Sequence, residues 1–284
     1  MDAIQNIIHT VEAHRDQIIS LCSELVKIPS ENPPGDTRKI VKFIAEYLGK
    51  EGLDCQIYSP KENMPNIVAC LKGAQPGRRL IYNGHIDTYP AGDARRWQYD
   101  PFSGKVVDGK IYGRGSSDMK GGVAASIMAF ILLTRMRHVL SGEIVMTLVA
   151  DEETGGKWGA KWLLDNVPIV TGDAMINGEP TSCEMVQFGE KGRVFIDLEA
   201  KGKGANGAYP HIGDNAIWKM MLCLQDLREL EKLDMVPPPE LWRVLEGARE
   251  VVETVKGKGV PKLEKAAMSH IMSLSAAEVD ELLK

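Results

Sequence analysis

The stretch LIYNGHIDTYP, residues 80–90, decides how the chain is read. Leu80 to Asn83 has the pattern of a short buried strand, Gly84 ends it, and His85 and Asp87 follow with one residue between them. Alternate residues of an extended segment face the same way, so an imidazole and a carboxylate are expected side by side at a strand's end. The ordinary reading of such a pair is a loop histidine with a satisfying partner. The sharper reading is a metal-binding histidine with a carboxylate beside it. The rest of the chain must choose between them.

Working outward, short strands fit DCQIYS, NIVACL and RLIYNG before the pair, and EIVMTLVA and DAMING after it. Helical apolar spacing covers residues 3–27, where Ile4, Ile7, Ile8, Val11, Ile18, Leu21 and Leu25 share a stripe. The run PSENPPGD stops that helix, because proline cannot continue it, and a second amphipathic helix is expected at about 37–51. DPFSGKVVDGKIYGRG reads as a hairpin-rich excursion with Asp108-Gly109 as a tight turn. SSDMKGGVAASIMAFILLTRM opens with cap-type residues and becomes an almost unbroken apolar helix, expected to be buried. GAKWLLDNV adds a further helix. Helices alternating with apolar strands predict an α/β domain with a mostly parallel sheet flanked by helices.

The pattern changes near residue 184. EMVQFGEKGRVFIDLEAKGKG alternates over a long extended stretch, as antiparallel strands at a half-exposed face do. Helices are expected at about 214–233 and, past the break VPPPE, to about 256. The chain is therefore divided into a first domain at 1–183 and a second at 184–284.

Composition bounds the function. The 284 residues are 44 % apolar and 26 % charged, with a net charge of −5 and no long run of either sign, the profile of a soluble globular protein. A mildly acidic chain without basic clusters gives no electrostatic case for nucleic acid or an anionic membrane. Cys22, Cys55, Cys70, Cys183 and Cys223 are scattered and odd in number, which points to reduced thiols and a cytoplasmic location. The amino-terminal helix carries charges throughout, unlike a signal peptide, and no stretch approaches the apolar length of a membrane span.

Acidic residues gather at element ends. Asp118 stands at a helix start, Glu152 and Glu153 directly follow a strand, and Glu179 ends MINGEPT. Taken singly, Asp118 reads as a helix cap and DEETGG as an acidic first turn. GRGSSDMKGG lacks the third glycine of a dinucleotide loop and the G-K-[ST] of a phosphate loop. In open α/β sheets the carboxyl ends of strands form the ligand crevice. His85, Asp87, Asp118, Glu152, Glu153 and Glu179 gathered there would repel one another unless a cation neutralised them. Such a donor set suits zinc, with cobalt or manganese as alternatives.

The blocks GHIDTYPAGDARRWQYDPFSGKVVDGKIYGRGSSDMKGG, DEETGG and NGEPT resemble the M20 family of metallopeptidases and deacylases, which includes acetylornithine deacetylase and succinyl-diaminopimelate desuccinylase. The likeness covers about residues 15–217. It implies a zinc-peptidase α/β domain with an inserted α+β lid and dimerisation domain, one or two Zn2+ ions per chain, and a homodimer formed through the lid. It implies that His85 and Glu179 bind one metal, that Asp118 bridges two, and that Glu153 binds the second. Asp87 would orient His85, and Glu152 would act as general base for a metal-activated water attacking an amide. A cis peptide between Asp118 and Met119 is implied as well. The expected substrate is an N-acylated amino acid or small peptide; the acyl group and amino acid are not readable.

The chain departs from the family pattern at two places. In GKGANGAYPHIGDNAI the lid position that holds a histidine in the family, where it would face the substrate or oxyanion, is Asn206, which donates a hydrogen bond but carries no charge. The family's return from the lid, with the second metal's histidine, is not found before Lys284, and His270 is a poor stand-in. The first domain is thus expected to be the amino-terminal part of a catalytic domain and the lid to be incomplete. A rival expectation follows: a catalytically inactive chain that dimerises or binds metal weakly.

Overall fold

A computed structural model describes residues 3–181 and 195–232. The chain divides into two compact units, Met1–Glu190 and Lys191–Lys284.

In the first unit, helices α1 (Ala3–Ala13), α2 (Arg15–Val26) and α3 (Arg38–Lys50) precede strands β1 (Gln56–Tyr58), β2 (Asn66–Lys72) and β3 (Gln75–His85). The single helix expected over 3–27 is broken at His14. Its ring Nδ1 lies 2.7 Å from the Thr10 carbonyl, the acceptor its own amide would use in an unbroken helix, and that amide donates to Val11 instead. The hairpin β4 (Lys105–Val107) and β5 (Lys110–Tyr112) follows. Asp108 and Gly109 turn it with φ of 49° and 73°, as a two-residue turn of the type I′ class requires. Helix α4 (Lys120–Arg135), strand β6 (Ser141–Val149), helix α5 (Ala160–Asn166) and strand β7 (Ala174–Asn177) complete the unit.

The five strands lie in the order β1-β2-β6-β3-β7. Strand β2 runs against both neighbours, whereas β6, β3 and β7 pair in parallel. The sheet is mixed by pairing, and all strands but β2 share one direction. Period-two alternation sends Ile67, Ala69, Leu71, Met146 and Leu148 to one face, where they pack with α2, α3 and α4. Val68, Val145 and Val149 face the other side with Leu163 of α5. Each fully buried leucine of this core, such as Leu25 or Leu48, contributes about 1.5–3 kcal/mol. The helix expected to be buried is: α4 turns Val123, Ile127, Phe130 and Ile131 inward.

Three parallel strands with aligned register bring their carboxyl ends to one side, with His85 opposite Val149 and Asn83 opposite Asn177. The fold thereby delivers residues 85–87, 150–154 and 178–179 to a common edge.

In the second unit, α6 (Ala216–Leu227) is capped by the Asn215 side chain, which accepts from the Ile217 amide at 2.9 Å. Antiparallel strand pairing was expected up to residue 204. Residues 195–200 form no strand, and among the described residues of this unit such pairing is confined to the bridge between Lys203 and Asp214. Alternating polarity marks an extended chain, but a strand needs a hydrogen-bonded neighbour. Residues 184–194, the helix expected to reach about 256, and His270 lie outside the described residues. No helix among the described residues is long and apolar enough to cross a membrane.

Candidate metal centre

His85 closes β3 and is almost fully buried. Its Nδ1 lies 2.9 Å from the main-chain oxygen of Asp87 and 3.4 Å from that residue's Oδ1. With Nδ1 donating to the main chain, Nε2 is turned toward Asp118 Oδ1 at 2.9 Å and Glu179 Oε1 at 3.2 Å. The strand end, the start of α4 and the loop after β7 thus converge on one ring nitrogen. The bond from Asp118 to Met119 is cis.

Glu152 and Glu153 form the turn after β6. Asp151 enters it with φ of 78°, in the left-handed region uncommon for a side-chain-bearing residue. The turn is tied to Asp87, whose Oδ1 and Oδ2 accept from the amides of Glu152 and Glu153, each at 3.2 Å. Two overlapping triads result: His85 with Glu152 and Glu179, and His85 with Asp118 and Glu153. Within each triad one donor atom per residue lies within 4.8 Å of the others.

The electrostatics follow from this crowding. Burial alone would push the His85 imidazole down, but Asp87 and Glu179 outweigh it and raise it to about 11. Burial would likewise raise the Asp87 carboxyl, yet hydrogen bonds from His85 and Asn32 hold it below the usual range. Glu152 and Glu153 are both raised, in each case first by burial; at Glu152 the attraction of His85 comes next and opposes the rise, whereas at Glu153 the Asp118 carboxylate comes next and adds to it. The site draws positive charge to itself. One imidazole and several carboxylates at this spacing fit zinc, cobalt or manganese.

Asp87 meets His85 Nδ1 twice, through its main-chain oxygen and, at the longer distance, through its carboxylate. The carboxylate's shortest side-chain bond, at 2.9 Å, comes from Asn32 Nδ2. Asn32, Asp151 and Lys120 were not singled out in the sequence. Asn32 hides in a stretch that reads only as a helix stop. Lys120 is fully buried and donates to the Ile28 carbonyl at 2.7 Å; burial pushes its ammonium down to about 7, against Cys22, Glu31 and Asp87. Equally unread was a polar ladder across the sheet. Asn83 donates to Thr147 Oγ1 at 2.9 Å, Asn177 donates to Asn83 Oδ1 at 3.0 Å, and the Glu179 amide donates to Asn177 Oδ1 at 2.8 Å.

Close backbone approach places Glu179 against α4. A Cβ on Gly122 would overlap the Gly178 carbonyl oxygen, so the first turn of α4 can touch this loop only without a side chain there. Asn206 lies in the second unit, where its Oδ1 accepts from the Ala208 amide at 2.9 Å.

The model of the family "Peptidase family M20/M25/M40" matches residues 81–280. A succinyl-diaminopimelate desuccinylase of Paracoccus denitrificans is 35 % identical over 216 residues, covering 74 % of this chain and 55 % of that protein. The chain spans about half the length of the curated relatives it matches. Among solved structures, a putative aminohydrolase from methicillin resistant Staphylococcus aureus aligns with a TM-score of 0.55 at 18 % identity, covering 82 % of this chain and 60 % of that one. Human carnosine dipeptidase 1 aligns at 0.52 with 23 % identity, covering 62 % and 41 %. These likenesses carry the fold.

Proposed function

The chain belongs to peptidase family M20/M25/M40, and from that premise we propose that it takes part in metal-dependent hydrolysis of the amide in an N-acylated amino acid or small peptide. The observation that carries this reading is the convergence of Asp118 and Glu179 on His85 Nε2, with Glu152 and Glu153 beside them.

His85, Asp118, Glu153 and Glu179 would hold one or two zinc ions. When bound, the metal would polarise the amide carbonyl and acidify the attacking water. Glu152, raised by its surroundings, would take the proton from that water at its carboxylate and pass it to the leaving amine. Asp87 holds the backbone of Glu152 and Glu153, and so keeps base and ligand on the same turn. The name of the relative in Paracoccus denitrificans makes an N-succinyl amino acid the first substrate to try. A homodimer through residues 184–284 as a lid, and a cytoplasmic location, belong to the same proposal.

The test is zinc content per chain by mass spectrometry, together with chromatographic detection of the amine released from N-succinyl and N-acetyl amino acids. Zinc uptake that is lost in His85→Ala, with zinc-dependent release of amine, is expected. Equal zinc content in wild type and His85→Ala would overturn the metal assignment. A second reading, metal binding and self-association without turnover, is supported by Asn206, an amide at the lid position read as histidine in the family. Zinc bound without amine release from any acylated amino acid would favour it.

A further inference from the structure

We propose that Asn32 is a positioning residue that fixes the turn bearing Glu152 and Glu153 to the strand end bearing His85. The loop after α2 lies alongside residues 86–88. Ser30 Oγ donates to the Ile86 carbonyl at 2.7 Å, the Thr88 amide to Ser30 at 3.0 Å, and the Asn32 amide to Thr88 at 2.8 Å. This pairing delivers the Asn32 side chain, 2 % exposed, into the space between Asp87 and the turn.

Its amide nitrogen has two hydrogens and two close acceptors on opposite elements. Nδ2 lies 2.9 Å from Asp87 Oδ2 and 2.9 Å from Thr154 Oγ1, with Asp151 Oδ1 farther away at 3.4 Å. Thr154 in turn donates to Asp151 Oδ1, and Asp87 accepts from the amides of Glu152 and Glu153. The contacts close a ring: Asn32 to Asp87, Asp87 to the turn, and the turn back to Asn32. An aspartate in its place would set an acceptor against acceptors, and an alanine would leave buried Asp87 without its closest side-chain donor. Among the ring members Asp87 hydrogen-bonds His85, and the turn carries Glu152 and Glu153. Asn32 therefore acts on the site through the spacing of its two halves.

The zinc readout rests on the metal reading above, whereas the ring itself does not. Zinc affinity of the whole chain would be measured by competition with a chromogenic chelator for wild type, Asn32→Ala, Asp87→Ala and the double variant. Loss of such a supporting contact weakens metal binding by about 10–100-fold. Each single variant is expected in that range, and the double variant is expected to bind no more weakly than Asp87→Ala. Additive losses, or an Asn32→Ala chain that binds as tightly as wild type, would overturn the proposal. A merely structural role would lower the melting temperature and leave the affinity of the folded chain intact.

Should Asn32→Ala fail to fold, Thr154→Val removes the far acceptor together with its own bond to Asp151, and leaves the Asn32 to Asp87 contact in place. A loss of a few-fold in affinity then supports the ring, and no change refutes it. Should wild type take up no zinc, the metal reading fails by itself. Hydrogen exchange at the Glu152 and Glu153 amides then decides: faster exchange in Asn32→Ala upholds the ring, and unchanged protection ends it.

Discussion

The two ends of β3 carry charge in opposite ways. At its start Arg79 reaches Glu143 Oε2 through Nε at 3.0 Å and Nη2 at 2.8 Å, and the Thr171 carbonyl through Nη1 at 3.0 Å. The Arg79 amide donates to Asp173 at 2.7 Å. A cleft of about 750 Å³ opens there, lined among others by Lys72, Arg79, Glu143 and Asp173. Despite its size, its guanidinium is already met by partners of this chain. At the other end of the strand, carboxylates of Asp87, Asp118, Glu152, Glu153 and Glu179 surround one imidazole. A cleft marks the first end and charge imbalance the second. Imbalance is the better guide to chemistry, because a site whose charges cancel internally has little to offer a ligand.

Substitution at each end tests this contrast. The largest effect is expected at Glu152. Glu152→Gln keeps the shape and loses the base, so amine release should fall by about 10² to 10⁴ while zinc content stays at the wild-type value. If Glu153→Gln proves the more damaging to turnover and leaves zinc in place, the two neighbours exchange roles. Next in size is Gly122→Ala. The new methyl displaces the loop holding Glu179, and zinc affinity should weaken by about 10–100-fold, read by chelator competition. An unchanged affinity would show that Glu179 is dispensable for metal.

The smallest effect belongs to the balanced end. Arg79→Met removes a half-exposed ion pair and should cost about 1 kcal/mol, roughly 2–4 °C in melting temperature. Zinc affinity should not move. A zinc defect in Arg79→Met would erase the distinction between the two ends.

Much of this was legible in the sequence, for physical reasons that differ by residue. His85, Asp118, Glu152, Glu153 and Glu179 could be found because charged residues directly after apolar runs mark element ends. The Asp108-Gly109 turn was legible because few residues accept positive φ in succession. Strand direction was not: β2 has the same apolar run whether it pairs parallel or antiparallel, and only the short connection from Lys72 to Gln75 hints at its reversal. The break at His14 was hidden because a side chain that competes with its own amide leaves apolar spacing intact. Asn32 was illegible for another reason. Its partners are 55 and 122 residues away, and nothing local in SENPPG distinguishes a strut from a loop asparagine.

The ladder from Thr147 through Asn83 and Asn177 to the Glu179 amide has a consequence for how the chain avoids misassembly. Each amide uses its nitrogen toward one side and its oxygen toward the other, so the ladder has a sense and a single alignment that satisfies it. Sliding β7 by one residue would set Ile176 or Gly178 opposite Asn83, break the ladder, and turn the strand's side chains to the opposite faces. The three side chains thus act as an error check during assembly. A mispaired β7 forfeits the bond from Asn177 to Asn83 at once, so the alignment that brings Glu179 to His85 is also the one that the sheet rewards.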